Sequence, residues 1–279
     1  MNFRRSFIPL KPMDATPVRI AWEPLTPRGV AAFAHSPLRR LLLVQFIVAL
    51  LVGVAFAWLL RGGFFPIVTA AIEQLPTEGE IRRATLDWRG NSPQVLAEGR
   101  FLSFAVDLGH SGEVRSLAHF QFEFGKTNVL VQSLLGYTSG GYPDGWVIAL
   151  NRPELSPRWG AWRPMFLALT VVVVVAYLFA SWLVLATLYC GPVWVLGFFT
   201  NRDLTLRACW KLAGAALMPG ALAMLVVILL YGLGMLDLVH LGFALAVHVL
   251  LGWVYPAVST FLAPQIGEMR ANPFVPEKK

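Results

Sequence analysis

Charge is scarce in this chain. Asp, Glu, Lys and Arg make up 14% of its 279 residues, where an ordinary soluble domain carries about 25%. Four stretches, residues 41–60, 164–190, 212–236 and 239–262, contain none of them. Each reaches the roughly 20 residues that cross a hydrocarbon core of about 30 Å as a helix. Backbone groups in that core find no water, so the stretches are expected to close their own hydrogen bonds as helices. A purely soluble globule is excluded, and four transmembrane spans are predicted.

Cysteine is equally sparse. Cys190 and Cys209 are the only two, both at predicted cytoplasmic span ends, so the region outside the spans has no disulfide framework. About 100 residues can bury a sufficient core without one. Two thiols lacking further ligands do not make a metal site, and neither a metal nor a cofactor is expected. Also missing are G-x-S-x-G, H-E-x-x-H, a P-loop and a dinucleotide fingerprint. Ser103, Ser111 and Ser116 lie near His110 in sequence, but without a motif they are read as ordinary polar residues. The chain is read as a non-enzyme.

The charge that is present is unevenly placed. Residues 1–40 hold seven Lys and Arg against Asp14 and Glu23, and residues 201–211 hold Arg202, Arg207 and Lys211 against Asp203. Residues 61–163 balance ten basic against ten acidic side chains. Positive excess in short flanks marks the cytoplasmic side. Both termini are therefore predicted inside a bacterial inner membrane, with the 103-residue region outside it. The net charge of +7 is read as topology and attraction to anionic lipid, not as a nucleic-acid footprint. Residues 41–60 follow a 40-residue leader and end in Trp58-Leu59-Leu60-Arg61 rather than a small-x-small site, so a retained anchor is expected.

Residues 1–40 form a proline-rich arm, in which Thr26 is placed to cap a short helix opened by Pro27. Two placements are open for that helix, the inner headgroup layer or a floppy tail. Residues 67–75 read as a short amphipathic helix, and beyond Pro76 the pattern turns to strands. His119-Phe120-Gln121-Phe122-Glu123-Phe124 alternates as a half-buried antiparallel strand does. It predicts Phe120, Phe122 and Phe124 inward and Gln121 and Glu123 toward water. Residues 81–88, 102–108, 129–133 and 145–150 bring the set to five or six strands. Gly191-Pro192 is predicted to break the helix, so that 193–199 lie as an aromatic segment at the interface within the 191–211 connector. Residues 263–279 form a cytoplasmic tail. The fold class is membrane α+β, a four-transmembrane-helix bundle with a β-rich extracytoplasmic domain inserted between spans one and two.

Candidate sites follow from residue types rarely placed in spans. Ala216 and Gly220, and Gly242 and Ala246, have the four-residue spacing that lets helices pack closely. Pro219 predicts a kink whose freed carbonyl a neighbour must cover. His248 falls near mid-membrane, where a titratable side chain is a candidate functional group; a hydrogen bond to that freed carbonyl is its structural alternative. Tyr137 and Tyr142 sit in a turn-rich stretch, 137–145, read as a candidate partner loop. Asp237 and His240 are spaced to cap one another, whereas His110 and His119 read as isolated.

Residues 191–199, the Asn201-Arg202-Asp203-Leu204-Thr205 connector and the 213–220 stretch ending in Met-Pro-Gly resemble the Yip-type multi-spanning family. An anchor, an external β-domain and a helical bundle in that order also resemble an uncharacterised bacterial membrane family. The resemblance implies a membrane-organising or adaptor role and transfers no catalytic residue. The expected partners are the lipid bilayer and other integral membrane proteins. The alternative is a transporter or channel component built on Pro219 and His248.

Overall fold

The computed structural model describes residues 25–266; the rest of the arm and the end of the tail lie outside the described residues. The chain is mixed helix and sheet. Four helical rods are long and apolar enough to cross a membrane: Leu38–Glu73, Arg152–Phe199, Leu206–Gly232 and Leu238–Phe261.

Short α1 (Pro27–Ala32) begins as its cap chemistry requires, with Thr26 Oγ1 accepting from Gly29 N at 3.1 Å. It continues into a 3₁₀ turn at Phe33–His35. Rather than facing lipid, Val30, Phe33 and Ala34 are buried with Leu41, Ala208 and Leu212. Lys211 Nζ donates to Ser36 O at 2.7 Å, and the Tyr255 hydroxyl donates to Leu25 O at 3.0 Å. Residues 25–36 of the arm are thus pinned across one end of the bundle, here called the arm end. The four rods run from it toward the opposite, domain end.

Helix α5 (Leu206–Gly232) is the central rod, with α2 (Leu38–Leu59), α4 (Arg152–Phe199) and α6 (Leu238–Phe261) packed around it. Its arm-end half is rich in Ala and Gly and buried from residue 212 to residue 221, with Cys209, Leu212, Ala213, Ala215 and Met218 inaccessible. Small side chains let the neighbours approach, and Gln45 Nε2 donates to Gly214 O at 3.3 Å across the α2–α5 contact.

Helix α4 corrects the predicted break. It runs unbroken for 48 residues through Pro157, Pro164 and Pro192, a length of about 72 Å. Proline removes one hydrogen bond and strains the turn before it. Here the turn is held from outside: Val193 is buried in the same cluster as Ala208 and Leu212, and Gly197 closes against Leu204. Tertiary packing outweighs the local penalty, and residues 193–199 are the end of α4, not a separate segment.

Helix α2 likewise does not stop. A π-helical turn at Leu60–Phe64 joins it to α3 (Phe65–Glu73), making one 36-residue rod. The described residues that follow form eight strands in two sheets, of which those at Gln94–Glu98 and Leu102–Val106 pack on α3. The first sheet has the order β2-β1-β8, with β1 at Gly79–Arg82, β2 at Thr85–Trp88 and β8 at Val147–Ala149. The predicted single strand at 81–88 is therefore a hairpin. Its two turn residues, Arg83 and Ala84, both adopt positive φ, without the Asn or Gly that usually announces such a turn.

The second sheet has the order β3-β4-β5-β6-β7: β3 Gln94–Glu98, β4 Leu102–Val106, β5 Phe120–Phe124, β6 Asn128–Ser133 and β7 Gly136–Gly141. Strand β5 is antiparallel to β6 but parallel to β4. That pairing overturns the predicted burial. Parallel neighbours need a long crossover, and residues 107–119 make it as a loop lying back over one sheet face. A loop brings backbone polar groups that must be paired when covered, so the face beneath it is polar. Gln121 and Glu123 are buried, and Phe120 is 46% exposed. Gln121 Nε2 donates to Val114 O at 2.7 Å, while its Oε1 accepts from Ser116 N at 2.8 Å. The opposite, apolar face, with Phe104, Val106, Phe124 and Val129, packs on Ala71 of α3 and on Leu75 just beyond its end.

Candidate functional site

One site joins the sheet to the helices. Strands β4 and β5 both begin at the domain end of α5. Arg100, just before β4, donates from Nη2 to Leu236 O at 2.6 Å and from Nη1 to Tyr231 O at 3.5 Å. Its guanidinium also lies 4.8 Å from the Tyr231 ring centroid. The C-terminal end of a helix carries partial negative charge, so the Arg100 cation is favourably placed beside the last turn of α5 and the Leu236 carbonyl that follows it. Phe101 stacks on Phe64 of the π turn and tilts against Tyr231, with centroids 5.5 Å apart in both pairs.

His119, just before β5, completes the set. Burial and the Arg100 charge hold its pKa below the usual imidazole value, which suits a neutral ring, and its Nδ1 meets the Tyr231 hydroxyl at 2.9 Å. Beside these groups lies a cavity of about 390 Å³, walled by Trp58, Leu59, Ile67, Arg100, Phe101 and several glycines. Glycine is required at 63, where a Cβ would stand 2.8 Å from the Phe101 ring, and at 234, whose φ is +78°. The arrangement holds two parts of the chain together; its cation is already engaged by carbonyls and rings.

A second polar cluster occupies the far end of the same strands. His110 Nδ1 meets Glu123 Oε1 at 2.5 Å, and its Nε2 meets Asn128 Oδ1 at 3.0 Å. The Asn128 and Glu123 contacts raise the His110 pKa. Asp107 accepts from Ser111 Oγ, Gly112 N and Gly109 N. Burial alone would raise its pKa, but these donors hold it below the ordinary carboxylate value. Both histidines read as isolated are therefore partnered. Ser111 and Ser116 are tied to Asp107 and Glu98 rather than to His110, and Ser103 Oγ is buried without a partner. Among the described residues, no three His, Cys, Asp or Glu side chains gather as a metal ion would require.

Pro219, Gly220 and His248 do come together. A Cβ on Gly220 would lie 3.0 Å from His248 Nδ1. That nitrogen is buried and makes no hydrogen bond, so the predicted bond from it to a freed carbonyl is not formed. Ala216 is buried beside them. Gly242 and Ala246 are exposed instead, and no atom stands within 4 Å of a Cβ at Gly242; within this chain they are not a packing face. At the start of α6, Asp237 Oδ1 accepts from His240 N at 2.9 Å and meets its Nδ1 at 2.8 Å. Those two hydrogen bonds keep the Asp237 pKa low.

The predicted partner loop divides. Tyr137 is exposed on β7, an edge strand whose residues all face solvent. Tyr142 is buried in the domain core and donates to Gly125 O at 2.9 Å; burial pushes its pKa up to about 12. It is an internal anchor, not a partner contact. Reading the sequence missed Arg100, Phe101 and Tyr231. The available signal was glycine at the ends of charge-free stretches, at 62, 63, 232 and 234, with Gly99-Arg100 between two strand patterns. No family model, curated protein or solved structure matches the chain.

Proposed function

We propose that this protein is a non-catalytic accessory or adaptor subunit of a larger bacterial inner-membrane assembly. In this reading its four apolar rods span the membrane, both termini are cytoplasmic and the β-domain is extracytoplasmic. The observation that carries it is α6. The most apolar stretch of that helix has no buried residue, and its small-residue pair, Gly242 and Ala246, faces outward. Small residues on an open face are what close helix–helix docking uses. The enclosed Ala/Gly half of α5 supports the same reading, since the bundle's centre is filled by packed helix.

The test is substitution of Gly242→Leu together with Ala246→Leu, followed by native-gel or crosslinking analysis of membranes. The expected result is loss of a larger species, with helix content and thermal unfolding retained. An unchanged assembly overturns the reading. One observation favours a second reading, a transporter component: the unpartnered Nδ1 of His248 beside Pro219 and Gly220. His248→Gln separates the two, since an adaptor keeps its assembly and partner activity, whereas a proton-handling subunit keeps assembly and loses transport.

A further inference from the structure

The β6–β7 hairpin ends in a two-residue tip, Leu134-Leu135, between paired Ser133 and Gly136. Leu135 is fully exposed, Leu117 is 98% exposed, and Phe120 and Tyr137 are also open. A single exposed leucine is ordinary; this group is unusual because the register collects it. Ser133 pairs with Phe120, so the tip lies at the same end of the sheet as His119. His119 in turn meets Tyr231, one residue before the end of α5.

That end has a definite level. Lys211 and Tyr231 are 20 residues apart on α5, and Arg40 and Arg61 bracket nearly the same length on the α2 rod. Both intervals come to about 30 Å of helix, the thickness of a hydrocarbon core. Tyr231 and Arg61 thus mark the plane at which a membrane crossed by these rods would end. Helix α3 packs on β3 and β4, whereas β6 and β7 stand two and three strands beyond β4, about 10 and 14 Å farther out at ordinary strand spacing. The hairpin therefore overhangs the bundle with its tip directed at that plane.

We infer that the Leu134-Leu135 tip, with Leu117 and Phe120, is a shallow membrane-contacting surface that rests in the outer-leaflet interface beside the bundle. The occupant of this apolar patch is lipid. Two residues beyond Ser133 reach no more than about 7 Å, which is enough for the headgroup and upper acyl region. Tyr137, just behind the tip, is a side chain that favours that region. The inference rests on the spanning reading above and adds a contact to it.

The experiment uses the full-length protein in liposomes, in a Cys190→Ser, Cys209→Ala background with an environment-sensitive fluorophore on one introduced cysteine. Leu135→Cys probes the tip, Lys126→Cys the β5–β6 turn at the opposite end of the same strands, and Val172→Cys the exposed face of α4 within the span. Bromine-labelled lipids are the quenchers. The expected result is that the Leu135 probe loses most of its emission to shallow bromines and less to deep ones. The Val172 probe should be quenched best by deep bromines and the Lys126 probe by neither. Quenching at Val172 without quenching at Leu135 overturns the inference and leaves the spanning reading intact. A Leu135 probe shielded from aqueous iodide yet untouched by brominated lipid also overturns it, because protein then covers the tip. Absence of lipid quenching at Val172 overturns both.

Discussion

The Tyr231 hydroxyl lies 2.9 Å from Nδ1 of His119, a residue 112 positions away in sequence, and the two rings stack with centroids 5.9 Å apart. This contact and the Arg100 hydrogen bonds beside it tie the start of β5 to the end of α5. Removing the hydroxyl by Tyr231→Phe should cost about 1 kcal/mol. Arg100→Ala, which removes the cation from Tyr231 O at the end of α5 and from Leu236 O beyond it, should cost about 1–3 kcal/mol. Hydrogen exchange is the measurement: amides at 229–236 and 119–121 should lose protection together in both variants. Loss confined to the helix would show that the latch does not couple the two parts.

Glu123→Ala should destabilise the β-domain by about 2–3 kcal/mol, because it removes a buried acceptor and leaves His110 and Gln132 without their carboxylate partner. Phe120→Ala should cost under about 1 kcal/mol, since exposed substitutions away from special features are mild. Limited proteolysis across a denaturant series ranks the two. The opposite order would place the sheet in another register.

The two domain histidines should pull in opposite directions with pH. His110 has a raised folded-state pKa, so its contribution is fully present below the ordinary imidazole value and is lost as pH rises through the folded one. His119 has a lowered one, so its contribution is present above the ordinary value and is lost as pH falls through the folded value. NMR titration of the two imidazoles should find them on either side of about 6.5. In His110→Ala, stability should no longer fall through the upper window.

Adjacent glycines in the π turn should answer differently to alanine. Gly63→Ala puts a Cβ 2.8 Å from the Phe101 ring, and overpacking of this kind costs about 1–3 kcal/mol. Gly62 has no atom within 4 Å of that position, so Gly62→Ala should be neutral or stabilising by up to about 1 kcal/mol. Thermal unfolding in detergent compares the pair.

The charge-free stretches announced the rods because absence of charge over 20 residues is a local property. The cap at Thr26 and the strand at 120–124 were legible for the same reason. What escaped depended on distant partners. Nothing within 119–124 reveals that β4 lies parallel alongside, which is why Gln121 and Glu123 were sent to the wrong environment. Pro192 carried a local penalty that Val193 and Gly197 offset through residues on other elements. Arg83 and Ala84 turn a hairpin without turn residues, so no composition signal existed. The latch at Arg100, His119 and Tyr231 forms only once three separated segments are assembled.

The unbroken passage from α2 through the π turn into α3 also has a mechanical consequence. Its 36 residues make a beam about 54 Å long, packed against α4 and α5 along the bundle and against the sheets at its far end. A tilt of 10° about the arm end displaces the far end by about 9 Å, with no loop in between to absorb the motion. The β-domain therefore works as a pointer on that beam, and small reorientations of the bundle are magnified where the domain meets its surroundings.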